Sequence, residues 1–156
     1  MYRDLRGATA VHHAVDTGLF ELLPKLLSRY YSFDCNTTDN NGNSALHLAA
    51  QKNCVTSLEI LIKHGANIDR ANYAGKTPLH YSLENECDDT ADLLLLNSAN
   101  VMLQDLRGYN AIDLFMMKAK SKAHMPKVSS YMPKLLDYNQ KRLLTMNSLN
   151  DERMLH

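Results

Sequence analysis

Gly7, Gly42, Gly75 and Gly108 are separated by 35, 33 and 33 residues, and each opens a similar phrase. The phrases are Gly7-Ala8-Thr9-Ala10-Val11-His12-His13-Ala14, Gly42-Asn43-Ser44-Ala45-Leu46-His47-Leu48-Ala49, Gly75-Lys76-Thr77-Pro78-Leu79-His80-Tyr81-Ser82 and Gly108-Tyr109-Asn110-Ala111-Ile112-Asp113-Leu114-Phe115. A period of this length makes the chain a tandem repeat. One unit is too short to bury its own apolar face, so the core must come from stacking neighbours.

A second set of positions recurs at a fixed offset from the first. Leu58, Leu61, Ile62, Gly65 and Ala66 are followed one period later by Ala91, Leu94, Leu95, Ser98 and Ala99. In the opening unit the matching residues are Leu23, Leu26, Leu27, Tyr30 and Tyr31, which keep the hydrophobic pair and lose the Gly-Ala. Together the two sets resemble ankyrin repeats, whose signature is this period with Thr-Pro-Leu-His-x-Ala. The resemblance implies an all-α ankyrin-repeat solenoid of helix-turn-helix units with β-hairpin fingers. Its units are an N-terminal capping repeat over 1–38, repeats over 39–71 and 72–104, and a degenerate C-terminal repeat with an insertion over 105–146. A frayed tail over 147–156 follows.

The residues explain the local structure. Asn41-Gly42 and Ala74-Gly75 supply the positive φ of a tight turn. Ser44 and Thr77 cap the first helix of their units, and Pro78 stands in its first turn, where an amide hydrogen is not needed. Val55, Leu58, Leu61 and Ile62 form one helical stripe, which Gly65 ends. Asp88 and Asp89 place negative charge at the positive end of the next helix. Pro24 removes a donor inside the expected second helix of the opening unit, so that helix either starts late or kinks.

The expected leucine pair of the last unit arrives late, at Leu135-Leu136, after a Lys-rich insertion over 117–129 that contains Pro126. A lengthened first helix and a loop are expected there. Ser130 would then cap a helix carrying Met132, Leu135, Leu136, Leu143 and Met146 on one stripe, which covers the end of the stack or docks a partner. Lys118, Lys120, Lys122 and Lys127 lack the interleaved aromatic residues of a nucleic-acid surface.

Residues 1–115 hold 9 Lys/Arg against 14 Asp/Glu, and residues 116–156 hold 8 against 3. The repeats are acidic and the tail basic. No apolar run reaches the roughly 20 residues of a membrane helix, and the N-terminus does not read as a secretory signal. Cys35, Cys54 and Cys87 lack zinc or redox spacing and are expected as reduced thiols, Cys54 and Cys87 filling one repeated slot. These features place the chain in the cytoplasm, the nucleus or both. They also make the glycosylation sequon Asn36-Thr37-Thr38 accidental.

His12, His47 and His80 recur in one register, which sets them in a row and not around one ion. The resemblance implies that each hydrogen-bonds to backbone in the neighbouring turn. Ser, Cys, His and Asp fall mostly in repeated structural slots, with no nucleophile, base and orienting group on one pocket. Most glycines serve the repeat, leaving no phosphate loop. No enzyme, cofactor, metal or small-molecule substrate is expected.

Surface then carries function. By register with the family, the positions available to a partner are Leu5, Arg6, Asp16 and Thr17, then Asn40, Asn41, Asn43, Gln51 and Lys52. Tyr73, Lys76, Glu84 and Asn85 follow, and last Leu106, Arg107 and Tyr109. Tyr73, Leu106, Arg107 and Tyr109 have the chemistry of an interface centre. The resemblance implies a non-catalytic module that binds another protein, such as a transcription factor, a kinase or a complex subunit. In build the stack is similar to IκB-type inhibitors, which mask Rel transcription factors, and to ankyrin-type inhibitors of cyclin-dependent kinases, both acting by occlusion. The alternative is an adaptor or regulatory subunit of a larger enzyme complex.

Overall fold

The computed structural model describes residues 2–28 and 33–121, together with Pro133 and Asp137. The helices are α1 (Ala10–Asp16), α2 (Leu23–Leu26), α3 (Ala45–Gln51), α4 (Val55–Lys63), α5 (Pro78–Glu84), α6 (Asp88–Leu96) and α7 (Ala111–Ser121), with a 3-10 turn at Phe20–Leu22. Inner helices α1, α3, α5 and α7 pack in sequence, and outer helices α2, α4 and α6 pack behind them. Tyr30 and Tyr31 lie outside the described residues, as does the expected helix after Ser130 with its tail apart from Pro133 and Asp137, which are helical.

Small side chains let the inner helices approach one another. Ala45, Leu46, Ala49 and Ala50 on α3 are all fully buried, as are Leu58 and Leu61 on the outer α4 and Leu94 on α6. Each buried leucine contributes about 2 kcal/mol to stability through removal of apolar surface from water. In the first unit the outer helix is reduced to the 3-10 turn and one α-helical turn, with Pro24 in the first turn of α2. The late start is therefore the outcome. Proline removes a donor that the first turn does not use, so α2 begins where the chain can first tolerate it. In the last unit α7 runs 11 residues, against 7 for α3 and for α5.

Each inner helix opens with one device. The Thr9, Ser44 and Thr77 hydroxyls cap α1, α3 and α5, and the histidine three residues on completes the box. Nδ1 of His47 accepts the Ser44 N–H at 3.1 Å and the Ser44 hydroxyl at 2.9 Å. Its Nε2 then donates to the Lys76 carbonyl of the next unit at 3.0 Å. His12 reaches the Asn43 carbonyl and His80 the Tyr109 carbonyl in the same way. Since a carbonyl only accepts, each ring is the neutral tautomer with its proton on Nε2. Burial, the larger effect, outweighs that carbonyl and pushes His47 down to about 4. His12 and His80 are lowered for the same reason.

The fingers are tight turns. The described residues hold no strand, and the only bridge among them joins Thr38 to Ser44. One side chain, at the start of the turn, organises each finger. Asp39 Oδ1 accepts the amides of Asn41 at 2.9 Å and Asn43 at 2.8 Å. Asp4, Asn72 and Asp105 do the same two and four residues on. Neighbouring fingers are tied by backbone: Asn40 N–H to Arg6 carbonyl at 2.8 Å, Tyr73 N–H to Asn41 carbonyl at 3.1 Å and Leu106 N–H to Ala74 carbonyl at 3.0 Å. Gly42 and Gly75, at φ +80° and +74°, are required by that contact: a Cβ on either would sit 2.8 and 2.9 Å from the next finger's amide nitrogen.

Candidate protein-binding surface

Every candidate surface residue lies on a finger or on an inner helix, and the stacking sorts them into three groups. The first is the row of finger tips, two residues before each repeat glycine: Leu5, Asn40, Tyr73 and Leu106. Leu5, Tyr73 and Leu106 are 100%, 73% and 79% exposed, while Asn40 turns its amide back to the Leu5 carbonyl at 3.0 Å. The tips therefore present three separate apolar side chains, Asn40 serving to fasten one finger to another.

The second group is an ion-pair cluster between the third and fourth units. Glu84 accepts Lys76 Nζ and Arg107 Nη2, each at 2.6 Å, and Arg107 also reaches Asp105 at 2.7 Å. Arg107 lies over the Tyr109 ring, 5.4 Å from its centre. Burial pushes the Asp105 carboxyl up, but hydrogen bonds from the Arg107 side chain and from the Tyr109 and Arg107 amides outweigh it and hold the carboxyl below its ordinary range. Its hydrogen bonds to Asp105 and Glu84 raise Arg107 in turn. Arg107 and Lys76 are thus largely committed to the protein itself, and a partner must compete with Glu84 for them.

The third group lines a groove of about 330 Å³ between the fingers and inner helices of the first three units. Its walls include Arg6, Asp16, Asn41, Asn43 and Gln51, over Leu48 and Tyr81. Asn43 Oδ1 accepts both Asn72 Nδ2 at 2.8 Å and the Tyr81 hydroxyl at 3.2 Å, which fixes the floor. Lys52 closes on Asp16 at 2.6 Å and holds that carboxyl low, chiefly through its hydrogen bond. Thr17 instead turns its hydroxyl back to the His13 carbonyl, and Asn85 its amide to that of Tyr81.

His13, Leu48 and Tyr81 were absent from the residues chosen by register. All three occupy the variable position after the repeat histidine, so the sequence carried the signal: one side chain per unit facing the groove. Tyr73 and Tyr109, chosen as one centre, belong to separate groups.

The remaining candidates have local roles. Asn36, in the sequon, donates to the Gly65 carbonyl and accepts the Asn67 amide, so its side chain links two units. Among the described residues no cluster of His, Cys, Asp or Glu is arranged to hold a metal, and no helix is long and apolar enough to cross a membrane.

The family profile described as "Ankyrin repeats (3 copies)" matches residues 11–105, and the chain belongs to the ankyrin-repeat family. It is 36% identical over 76 residues to the B-cell lymphoma 3 protein homolog of Mus musculus, covering 48% of this chain and 16% of that protein. It is 32% identical over 78 residues to diacylglycerol kinase zeta of Rattus norvegicus, covering 50% of this chain and 8% of the kinase. A putative ankyrin repeat protein of Rickettsia bellii is 30% identical over 76 residues, covering 49% of this chain and 42% of that protein. The chain thus spans less than half the length of these relatives. Ankyrin repeats are protein-interaction modules, generally without catalytic activity of their own.

Proposed function

We propose that this chain regulates a partner protein by covering part of its surface, with the finger tips and the groove as one contact face. The observation that carries this reading is the row Leu5, Tyr73 and Leu106, apolar side chains held out by a backbone-tied scaffold. A rigid scaffold loses little conformational entropy on binding, so exposed apolar anchors convert efficiently into affinity. The amides and charges of the groove behind them supply orientation and specificity. Inhibition by occlusion, as in the IκB-type and kinase-inhibitor stacks of similar build, follows from a surface that binds and has no chemistry assigned to it.

The second reading, an adaptor or regulatory subunit of an enzyme complex, is favoured by one feature. The acidic excess of residues 1–115 and the basic excess of residues 116–156 give two segments of opposite charge on one chain. A reducing setting, in the cytoplasm or nucleus, is proposed from the free thiols of Cys35, Cys54 and Cys87.

The test is affinity capture from native extract with wild type beside a Tyr73→Ala, Leu106→Ala variant whose fold is checked by circular dichroism. One protein lost selectively from the variant identifies the client, and retention of every partner overturns the finger-tip assignment. Adding purified chain to that client then separates the readings: stoichiometric loss of its activity is occlusion, and a gain on recruiting a third component is an adaptor.

A further inference from the structure

The four fingers share a glycine and differ in the residue before it, which is Arg6, Asn41, Ala74 or Arg107. Asn41-Gly42 is the one Asn-Gly pair in the chain. That pair carries a reaction the other fingers lack. Asparagine is chemically labile because the main-chain nitrogen that follows it can attack its side-chain carbonyl carbon. Glycine, with no Cβ, leaves that approach unobstructed.

The structure sets Asn41 apart from its neighbours. Asn40 donates its side-chain amide to the Leu5 carbonyl at 3.0 Å. Asn43 is buried, donates to the Asp39 carboxylate at 3.3 Å and accepts from Asn72 and Tyr81. Asn41 is exposed, and among the described residues its side-chain amide has no hydrogen-bond partner. What restrains the reaction is the attacking nitrogen, since the Gly42 N–H is spent on the Asp39 carbonyl at 3.0 Å. The Asp39 carboxylate pins the amides on either side, Asn41 at 2.9 Å and Asn43 at 2.8 Å. A closed finger keeps the nitrogen in its turn, and local opening releases it.

We propose that Asn41-Gly42 is a self-modification site gated by the second finger, whose product no longer fits the junction with the third unit. On opening, the Gly42 nitrogen bonds to Asn41 Cγ and its proton passes, through water, to the side-chain nitrogen, which leaves as ammonia. Water then opens the resulting imide ring at either carbonyl. One opening gives aspartate, and the other gives isoaspartate, in which the main chain runs through Cγ. Isoaspartate lengthens the main chain by a methylene where the stack has no slack: a Cβ added to Gly42 would lie 2.8 Å from the Tyr73 amide nitrogen and 2.8 Å from its ring. The Asn41 carbonyl that accepts the Tyr73 N–H at 3.1 Å becomes part of a free carboxylate. Tyr73 is then no longer held in the row of tips, and either product adds negative charge to the groove beside Asp16 and Asp39. Finger opening is thereby recorded as an irreversible change in the surface. The reaction needs only this chain and water, so it is independent of what binds the fingers.

Peptide mapping of the full chain, kept at neutral pH with and without urea, tests this, with electron-transfer fragmentation to separate isoaspartate from aspartate. In urea Asn41 should convert ahead of every other asparagine, and isoaspartate, which arises only through the ring, should be among the products. In the folded chain the same conversion should be at least tenfold slower. Asp39→Ala, its fold checked by circular dichroism, should speed the folded-state conversion at least threefold and leave the rate in urea unchanged. The isoaspartate form, separated by ion exchange, should unfold at lower urea than the parent chain, a comparison that needs no variant. Equal rates with and without urea, aspartate without isoaspartate, a folded Asp39→Ala chain no faster than wild type, or an isoaspartate form as stable as the parent would each overturn the proposal.

Discussion

At the head of α5, Thr77 and His80 do two things, whereas at the head of α7 Asn110 and Asp113 do one. Both pairs cap their helix. Thr77 and His80 satisfy each other through the hydroxyl and Nδ1. Asn110 accepts the amides of Ile112 at 2.9 Å and Asp113 at 3.0 Å, while the Asp113 carboxylate takes the Asn110 amide at 3.1 Å. Imidazole has a second nitrogen, and His80 uses it to donate to the Tyr109 carbonyl. A carboxylate has only acceptors and has no proton to give to a carbonyl of a following unit. Capping and stacking are therefore separable jobs, and histidine is the residue that performs both.

Acid is the broadest way to break the internal junctions. His47 titrates at about 4 in the fold against an ordinary 6.5, and His12 and His80 are also lowered. Below about pH 6.5 the unfolded chain takes up protons that the folded chain refuses. The His47 contribution is then full above that pH, declines as the pH falls and is gone below about 4, where protonation of Asp16 and Asp105, both held low in the fold, continues the loss. The loss through His47 alone is roughly 3 kcal/mol. Urea unfolding at a series of pH values measures it, and a flat profile across that window would contradict the buried neutral ladder.

Mutation sharpens the contrast residue by residue. His47→Ala removes cap, buried packing and the bond to Lys76 together, with an expected loss of about 3 kcal/mol. Asp113→Ala removes half of a cap and is expected to cost about 1 kcal/mol. Equal midpoint shifts in urea would mean that the forward bond contributes little. The glycines give a gentler version. Gly75→Ala combines a strained positive φ with displacement of the next finger, a loss of about 2 kcal/mol, whereas Gly108→Ala meets no neighbour and costs about 1 kcal/mol.

Much of this was legible in the repeats themselves. The caps at Ser44 and Thr77, the helix stop at Gly65 and the charges at Asp88 and Asp89 depend on residues within one turn of each other, which sequence displays directly. The family resemblance supplied the forward reach of the histidines. The groove was harder to read. Asn43 meets Tyr81, and Glu84 meets Arg107, only because successive units stack with one particular rotation, and no local pattern encodes that angle. The carboxylates of Asp39 and Asp105 were visible but looked like ordinary turn residues until the amides they gather were seen.

The backbone bonds that run from finger to finger have a mechanical consequence. Each joins adjacent units, so the place of one finger is fixed against the next and the interval between tips is carried along the stack. Leu5, Tyr73 and Leu106 behave as graduations on a stiff rule: their order, their side and the intervals between them are set by the stack. A client is then selected by the intervals between its own pockets more than by its overall shape.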